Sequence, residues 1–232
     1  MNKIAIVTGS DKNYFPFLKN LVFSLVKSKS LEIADLCLLD VEKESDYLEE
    51  FKNVVSHIKK TEFSLDLRFD ERKNWFKLLT ERPFIQDYFP GYEKYIWLDA
   101  DTHVLNKNLI LNLGDGTKLN DISIAPEINE SYVFKNKKFG IKKKFFSLYK
   151  ISGWSFKNYK KYFSNEIAEE LFFKPLFNNG VFCIRSNSKI WAMWKESYQD
   201  ALKKAKTNYG IKTDQLSLNK VLYENFNLVS IL

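Results

Sequence analysis

Two aspartates separated by one residue offer the clearest chemistry in the sequence. Asp99 and Asp101 follow the apolar run at 95–98, which is typical of a buried strand that reaches the edge of its sheet. Residues i and i+2 of an extended chain point to the same side, so both carboxylates can face one ligand. They suit Mg²⁺ or Mn²⁺ with open positions for a substrate phosphate. The pattern predicts a metal and diphosphate site; a solvated turn is the alternative, because aspartate is common in turns.

The segments that would position this pair alternate between strand and helix patterns. Strands are predicted at 3–8, 33–39 and 54–58, with helices between them at 14–28 and about 43–53. This alternation predicts an α/β fold with a mostly parallel, twisted sheet flanked by helices. In such sheets ligands bind beyond the carboxyl ends of the strands. The polar loop after the first strand and the two aspartates are therefore expected in one cleft.

The rest of the chain continues in the same way. A helical pattern that Pro83 interrupts precedes the aspartate strand, and a Gly-Asp-Gly turn at 114–116 precedes a strand at 122–125. The turn signal at 178–180 leads into another buried strand, and Ser188 is expected to cap a long helix. We find no repeats or low-complexity linkers, so we expect one domain over residues 1–232.

Composition excludes several classes of protein. The 232 residues are 45% hydrophobic and 16% aromatic, which argues against disorder, and the apolar runs are too short to cross a bilayer. The first apolar run is also shorter than the hydrophobic region of a signal peptide, so a cytoplasmic protein is expected. Cys37 and Cys183 lie in apolar strand patterns and are expected in the core as reduced thiols.

The net charge of +7 favours an anionic partner. From about 130 to 165, lysines and aromatic residues interleave, which we interpret as an insertion on the acceptor side of the domain. Such a segment could rest peripherally on an anionic membrane, at the inner face, or could be a solvated surface with buried rings. Nucleic acid is not an expected partner, because the sequence has no recognisable nucleic-acid-binding motif.

Four short motifs occur in a fixed order on this pattern. They are the loop 7–14 (Val-Thr-Gly-Ser-Asp-Lys-Asn-Tyr), Asp99-Ala100-Asp101, the segment 177–181 (Phe-Asn-Asn-Gly-Val) and the segment 214–219 (Asp-Gln-Leu-Ser-Leu-Asn). Together they resemble the GT-A class of nucleotide-sugar glycosyltransferases, most closely glycosyltransferase family 8. The resemblance covers most of the chain and rests on the order of the motifs, because a lone Asp-x-Asp is common.

The resemblance implies transfer of a hexose from a nucleotide sugar, a UDP-sugar in the first instance, to a glycan or glycolipid acceptor. It implies Mn²⁺ or Mg²⁺ as cofactor, held by Asp99 and Asp101. Asp214 and Gln215 would be the catalytic residues beside the sugar. The donor-binding residues that it implies are Thr8, Asp11, Asn13, Tyr14, Arg82, Asp99, Ala100, Asp101, Asn178 and Asn179.

Two departures from the family pattern bear on the mechanism. Leu216 stands where the family has a second aspartate, and a C-terminal histidine that usually completes the metal site has no counterpart. His103 is a candidate substitute ligand. The family retains the anomeric configuration; because glutamine is a poor nucleophile, Gln215 favours a front-face path. If the product is inverted instead, Asp214 is the candidate general base.

Two other classes of function remain open from the sequence. Leu98-Asp99-Ala100-Asp101-Thr102 also fits the first motif of haloacid-dehalogenase-like phosphatases, in which the first aspartate is a nucleophile. That motif normally opens its domain, whereas here βα units precede it. The second alternative is a non-catalytic membrane-surface protein that keeps a transferase-like fold. Turnover of a nucleotide sugar would exclude it.

Overall fold

A computed structural model of the chain describes residues 3–42, 46–62, 74–127, 138–140, 150–205 and 213–232. The strands in these ranges are Ile4–Ser10 (β1), Asp35–Asp40 (β2), His57–Lys60 (β3), Lys94–Leu98 (β4), Ile122–Pro126 (β5), Lys138–Gly140 (β6), Lys150–Ser152 (β7), Phe177–Arg185 (β8) and Val229–Ile231 (β9). The α-helices are Phe15–Lys27 (α1), Asn74–Glu81 (α2), Ile85–Tyr88 (α3), Asn108–Gly116 (α4), Trp154–Tyr162 (α5), Asn165–Leu171 (α6), Ile190–Ala205 (α7) and Thr213–Glu224 (α8).

Within the described ranges, the main sheet has seven strands in the order β3-β2-β1-β4-β8-β5-β9, and β6 pairs with β7 separately. Neighbours β3, β2, β1 and β4 are parallel, whereas β8 is antiparallel to both β4 and β5. The predicted α/β fold with a mostly parallel sheet is confirmed. Because Leu98 pairs with Val181, the first residues of β8 extend past the carboxyl end of β4. Residues 177–180 therefore stand beside the two aspartates.

The central strands are apolar without alternation because helices cover both faces of the sheet. The side chains of Ile6 and Ile96 lie on the face of the sheet that α1 and α4 cover. Those of Val7 and Trp97 lie on the opposite face, which α7 and α8 cover. All four side chains are fully buried. This packing holds the carboxyl ends of β1 and β4 rigidly at one edge of the sheet.

A smaller apolar cluster joins α5 and α6 to α8, and it contains Tyr159, Tyr162 and Leu216. Lysines on α5 are exposed while these tyrosines are buried, as expected for a solvated face with buried rings. The parts of the lysine-rich segment at 128–137 and 141–149 lie outside the described residues, so its role as an insertion stays a prediction. The extent of a single domain likewise stays a prediction.

Several predicted elements have different bounds or types in the structure. The predicted helix at 43–53 is a 3-10 helix at Asp46–Phe51, and the third strand begins at His57. The glycine-rich stretch 114–116 forms the last turn of α4 and not a separate turn. Glycine signals a turn by its conformational freedom, but tertiary packing decides whether the helix continues.

Other expectations agree with the structure. Pro83 lies in a 3-10 helix at Arg82–Phe84 between α2 and α3, so it interrupts the helical pattern as predicted. The Ser188 hydroxyl accepts the Ile190 amide at the start of α7. Cys37 and Cys183 are buried and free. Within the described ranges, no helix is long and apolar enough to cross a membrane.

Candidate functional site

The carboxyl ends of β1 and β4 and the first residues of β8 open onto one cleft. Its half beside β1, the β1 side, is lined by Gly9, Ser10, Asp11, Tyr14, Leu78 and Ala100. Its half beside β8, the β8 side, is lined by Thr102, Glu127, Asn178, Asn179, Gly180, Val181, Asp214 and Gln215. Four residues line both halves and so lie where they meet: Leu79, Arg82, Asp99 and Asp101.

Arg82 is a buried cation at this junction. The 3-10 turn that Pro83 enforces after α2 directs the Arg82 side chain into the cleft, where the residue is only 4% exposed. Its Nη2 donates to Asp99 Oδ1, and its Nη1 donates to Asp214 Oδ2 at 2.8 Å. Burial lowers the pKa of the Arg82 guanidinium, but the two carboxylates outweigh that effect and raise it above its ordinary value. Arg82 thus joins two acids that are far apart in sequence.

Asp99 is fixed by neighbours on three elements. Its Oδ1 also accepts the indole N–H of Trp97 at 2.7 Å, and the Arg82 guanidinium lies 5.3 Å from the Trp97 ring centroid. The Asp99 amide donates to Gly180 O at 2.8 Å. A Cβ atom on Gly180 would lie 2.6 Å from Asp99 Oδ2, so only glycine lets this strand approach the carboxylate. One oxygen of Asp99 is therefore engaged, and the other lies against Gly180.

Asp214 begins the wall of the β8 side, in the first turn of α8. Its Oδ2 accepts from Arg82 and from Asn179 Nδ2, the latter at 2.6 Å, and the residue is 2% exposed. Trp194 donates its indole N–H to the Asp214 carbonyl at 3.0 Å. Both the side chain and the backbone of Asp214 are thus held in place.

Gln215 lies beside Asp214 and has a defined orientation. Its Nε2 donates to the Phe177 carbonyl at 2.9 Å, and because a carbonyl can only accept, the amide nitrogen must be the end that points there. Asn219, one turn later, accepts the Phe177 amide at 2.7 Å and donates to the Phe177 carbonyl at 3.0 Å. The spacing of the segment 214–219 therefore fixes α8 against the start of β8 and leaves the Gln215 amide oxygen for the cleft.

Asp101 stands at the tip of the turn that follows β4. The Thr102 amide closes this turn by donating a hydrogen bond to the Asp99 carbonyl at 2.9 Å. Its side chain is exposed and makes no hydrogen bond or ion pair with any described residue. His103 is exposed and lines neither side of the cleft, so the structure does not bring it to the two aspartates. The reason is local, because the chain leaves the sheet edge after Asp101.

The carboxylates fit a divalent cation only in combination with another ligand. Among the described residues, no group of three His, Cys, Asp or Glu side chains could hold a metal. Of the Asp99 and Asp101 carboxylates, Asp99 Oδ2 and both oxygens of Asp101 have no cationic partner among the described residues. Magnesium-like ions are commonly held by one or two carboxylates plus substrate phosphates. The residues therefore fit a cation that a diphosphate brings or completes.

On the β1 side, Asp11 and Tyr14 form a compact turn. Asp11 Oδ1 accepts the Tyr14 amide at 2.9 Å, and the half-exposed Tyr14 ring lies 5.5 Å from that of Phe17. Thr8 is buried on β1, behind the cleft, and its hydroxyl has no partner among the described atoms. Asn13 is exposed and is not part of the lining. Of the four residues predicted on this loop, two face the cleft.

Sequence reasoning missed several lining residues. Glu127 follows β5 immediately and contributes a half-buried carboxylate 3.4 Å from Asn178 Nδ2. Its signal was available, because it is an acid at the carboxyl end of a predicted strand. Leu78 and Leu79 carry no such signal, since apolar residues on a helix are ordinarily core. Leu216, the departure from the family pattern, is fully buried in the cluster with α5 and α6 and does not face the cleft.

Comparisons with solved structures identify the fold. The glycosyltransferase GlyE of Streptococcus pneumoniae TIGR4 superposes with a TM-score of 0.55 at 18% identity over 100% of this chain and 45% of GlyE. The galactosyltransferase LgtC, in complex with donor and acceptor sugar analogs, superposes with a TM-score of 0.57 at 16% identity, over 98% of this chain and 72% of LgtC. The bifunctional glycosyltransferase WbbM superposes with a TM-score of 0.61 at 17% identity, over 100% of this chain and 39% of WbbM. The chain thus spans less than half of GlyE and of WbbM.

The family assignment comes from the sequence and not from these distant likenesses. No curated protein matches the chain. The sequence model described as Glycosyl transferase family 8 matches residues 5–231, which is nearly the whole chain. The phosphatase alternative is therefore wrong. The chain belongs to glycosyltransferase family 8, and its sheet is that of a GT-A nucleotide-sugar transferase.

Proposed function

We propose that this protein is a divalent-cation-dependent glycosyltransferase that moves a hexose from a UDP-sugar to a glycan or glycolipid acceptor. The observation that carries the proposal is the cleft itself, in which a buried Arg82 joins Asp99 and Asp214 while Asp101 projects beside them without a partner among the described residues. Family membership supports the reaction class.

The β1 side is the proposed nucleotide subsite. Tyr14 presents a half-exposed ring on which a base can stack, and the Phe17 ring lies 5.5 Å from it. Asp11 lies at the same end, in the lining, and offers a carboxylate for the base or ribose. Asn13 and Thr8 lie outside this lining, so we assign them no direct contact with the donor.

The junction of the two halves is the proposed diphosphate subsite. Asp99 and Asp101 would hold Mn²⁺ or Mg²⁺, which when bound acts as a Lewis acid on the charge of the departing diphosphate. Both terminal nitrogens of Arg82 are engaged by carboxylates, so we assign Arg82 to holding Asp99 and Asp214 in place. We therefore assign Arg82, one of the donor-binding residues that the family resemblance implies, no direct contact with the donor.

The β8 side is the proposed sugar subsite. Gln215 faces it with an amide oxygen, whose partial negative charge can stabilise positive charge that develops at the anomeric carbon. An amide is a poor nucleophile, which favours a front-face path with retention. Asn178 and Asn179 line the same wall and can hydrogen-bond sugar hydroxyls.

Glu127 and Asp214 differ as candidates for the base that an inverting reaction needs. Asp214 is almost fully buried and its Oδ2 accepts two strong donors. Glu127 is half-buried, and its one hydrogen bond with a described side chain is the long one from Asn178. We therefore place the acceptor hydroxyl near Glu127.

If the acceptor is lipid-linked, the exposed lysines of α5 would be suited to an anionic membrane surface.

Calorimetric titration of UDP tests this proposal. We expect UDP to bind in the presence of Mn²⁺ and to lose most of its affinity when a chelator is added. Asp101→Asn should reproduce the effect of the chelator without lowering Tm, because the Asp101 side chain is exposed and has no described partner. Mn²⁺ without UDP should bind weakly, since no group of three His, Cys, Asp or Glu side chains among the described residues could hold it. UDP binding that ignores both the chelator and the substitution would refute the metal assignment.

A further inference from the structure

Trp97 lies directly behind the cleft and contacts the first aspartate. It is fully buried on β4, two residues before Asp99, so both side chains project from the same side of the strand. Its indole N–H donates to Asp99 Oδ1 at 2.7 Å. Trp191 and Trp194, which are also buried, donate their indole N–H groups to backbone carbonyls. Trp97 thus differs from them in donating to a carboxylate that lines the cleft.

Trp97 and Arg82 together occupy one oxygen of Asp99. A carboxylate oxygen has two lone pairs, and Oδ1 accepts both the indole N–H and the Arg82 Nη2 group. Oδ2 is then the oxygen left for a ligand in the cleft. Gly180 borders Oδ2 so closely that no side chain fits between them.

We propose that Trp97 is a positioning residue that fixes the rotation of the Asp99 carboxylate, so that Oδ2 would be the oxygen that holds a cation brought with the donor diphosphate. This inference rests on the proposed function, because it assigns Asp99 a ligand. The terminal torsion of aspartate is broad and nearly two-fold, so a carboxylate without such a donor can exchange its two oxygens. Phenylalanine at position 97 would keep most of the packing and the ring beneath Arg82 but would remove the donor.

Matched tryptophan substitutions separate positioning from packing. Trp97→Phe and Trp191→Phe each remove one buried indole hydrogen bond, and the Trp191 bond, to Arg185 O at 2.9 Å, lies outside the cleft lining. Both variants should lose stability of the size of one hydrogen bond, with the larger loss in Trp97→Phe because its acceptor is charged. We expect UDP with Mn²⁺ to bind Trp97→Phe about tenfold more weakly than wild type, as for loss of a charge-assisted bond. Trp191→Phe should bind as wild type.

A second readout follows the hydrogen bond itself. In the ¹H–¹⁵N spectrum of the wild-type protein, the indole resonance of Trp97, assigned through its backbone connectivity, should move when UDP and Mg²⁺ are added. Asp99→Asn should move the same resonance without ligand, because the acceptor loses its charge. The Trp191 resonance should stay in place in both experiments. If Trp97→Phe does not fold, these resonance shifts test the positioning role of Trp97 in its place.

The outcomes distinguish the inference from the function on which it rests. Wild-type protein that does not bind UDP with Mn²⁺ overturns the proposed function and the positioning role together. Wild-type binding that Trp97→Phe matches within a factor of about two overturns the positioning role alone. A Trp97 resonance that is insensitive to both the ligand and Asp99→Asn also overturns it.

Discussion

Replacing Arg82 by methionine tests the junction of the cleft. Arg82 is 4% exposed and faces Asp214, which is 2% exposed, and Asp99, whose side chain is 34% exposed. Methionine keeps most of the volume of the side chain but leaves both carboxylates without their cation. Removing one partner of a buried ion pair costs about 3–5 kcal/mol because the other charge stays buried and unpaired. For a chain of this length, that is a fall in Tm of about 10 °C.

Urea unfolding followed by circular dichroism measures this loss. Lys195→Met is the control, because the ion pair of Lys195 with Asp87 at 2.6 Å lies at the surface and should contribute less than about 1 kcal/mol. The double variant Arg82→Met with Asp214→Asn should recover about 1–3 kcal/mol, since the buried charge is then also gone. A loss below about 1 kcal/mol for Arg82→Met would refute the bridging role.

Two further predictions follow from close packing and burial. Gly180→Ala should weaken the binding of UDP with Mn²⁺ at least about tenfold, as measured by calorimetry, because the new Cβ would lie 2.6 Å from Asp99 Oδ2. Gly114→Ala is the control. Its Cβ would meet no atom closer than 3.6 Å, so this variant should bind UDP as wild type does. Burial raises the pKa of the Cys37 and Cys183 thiols to about 12, so neither should react with a thiol reagent at pH 8 until denaturant unfolds the chain. Rapid reaction of the native protein would contradict that burial.

The position of the cleft could be predicted from the sequence because it depends on local patterns. Runs of apolar residues mark β1 and β4 as buried strands, and polar residues follow each of them directly. Parallel strands place such residues at the same edge of the sheet. Asp11, Asp99 and Asp101 were expected together on that ground, and the structure brings them to one lining.

The contacts within the cleft could not be predicted, because they join segments that are distant in sequence. Arg82 and Asp214 are 132 residues apart, and neither carries a local signal for the other. The antiparallel direction of β8 could not be predicted either, because a run of buried apolar residues does not indicate in which direction the strand runs in the sheet. His103 was proposed as a ligand from its distance along the chain to Asp101, but after the turn the chain no longer follows the strand.

Release of UDP from UDP-hexoses tests the central claim most directly. We would incubate the protein with a panel of UDP-hexoses, with and without an acceptor glycan, and measure free UDP. We expect release of UDP that requires Mn²⁺ or Mg²⁺, stops when a chelator is added and is lost in Asp101→Asn. Lys195→Met, which removes the surface ion pair, should release UDP as wild type does. No UDP from any donor, or release that is unchanged in Asp101→Asn, would contradict it.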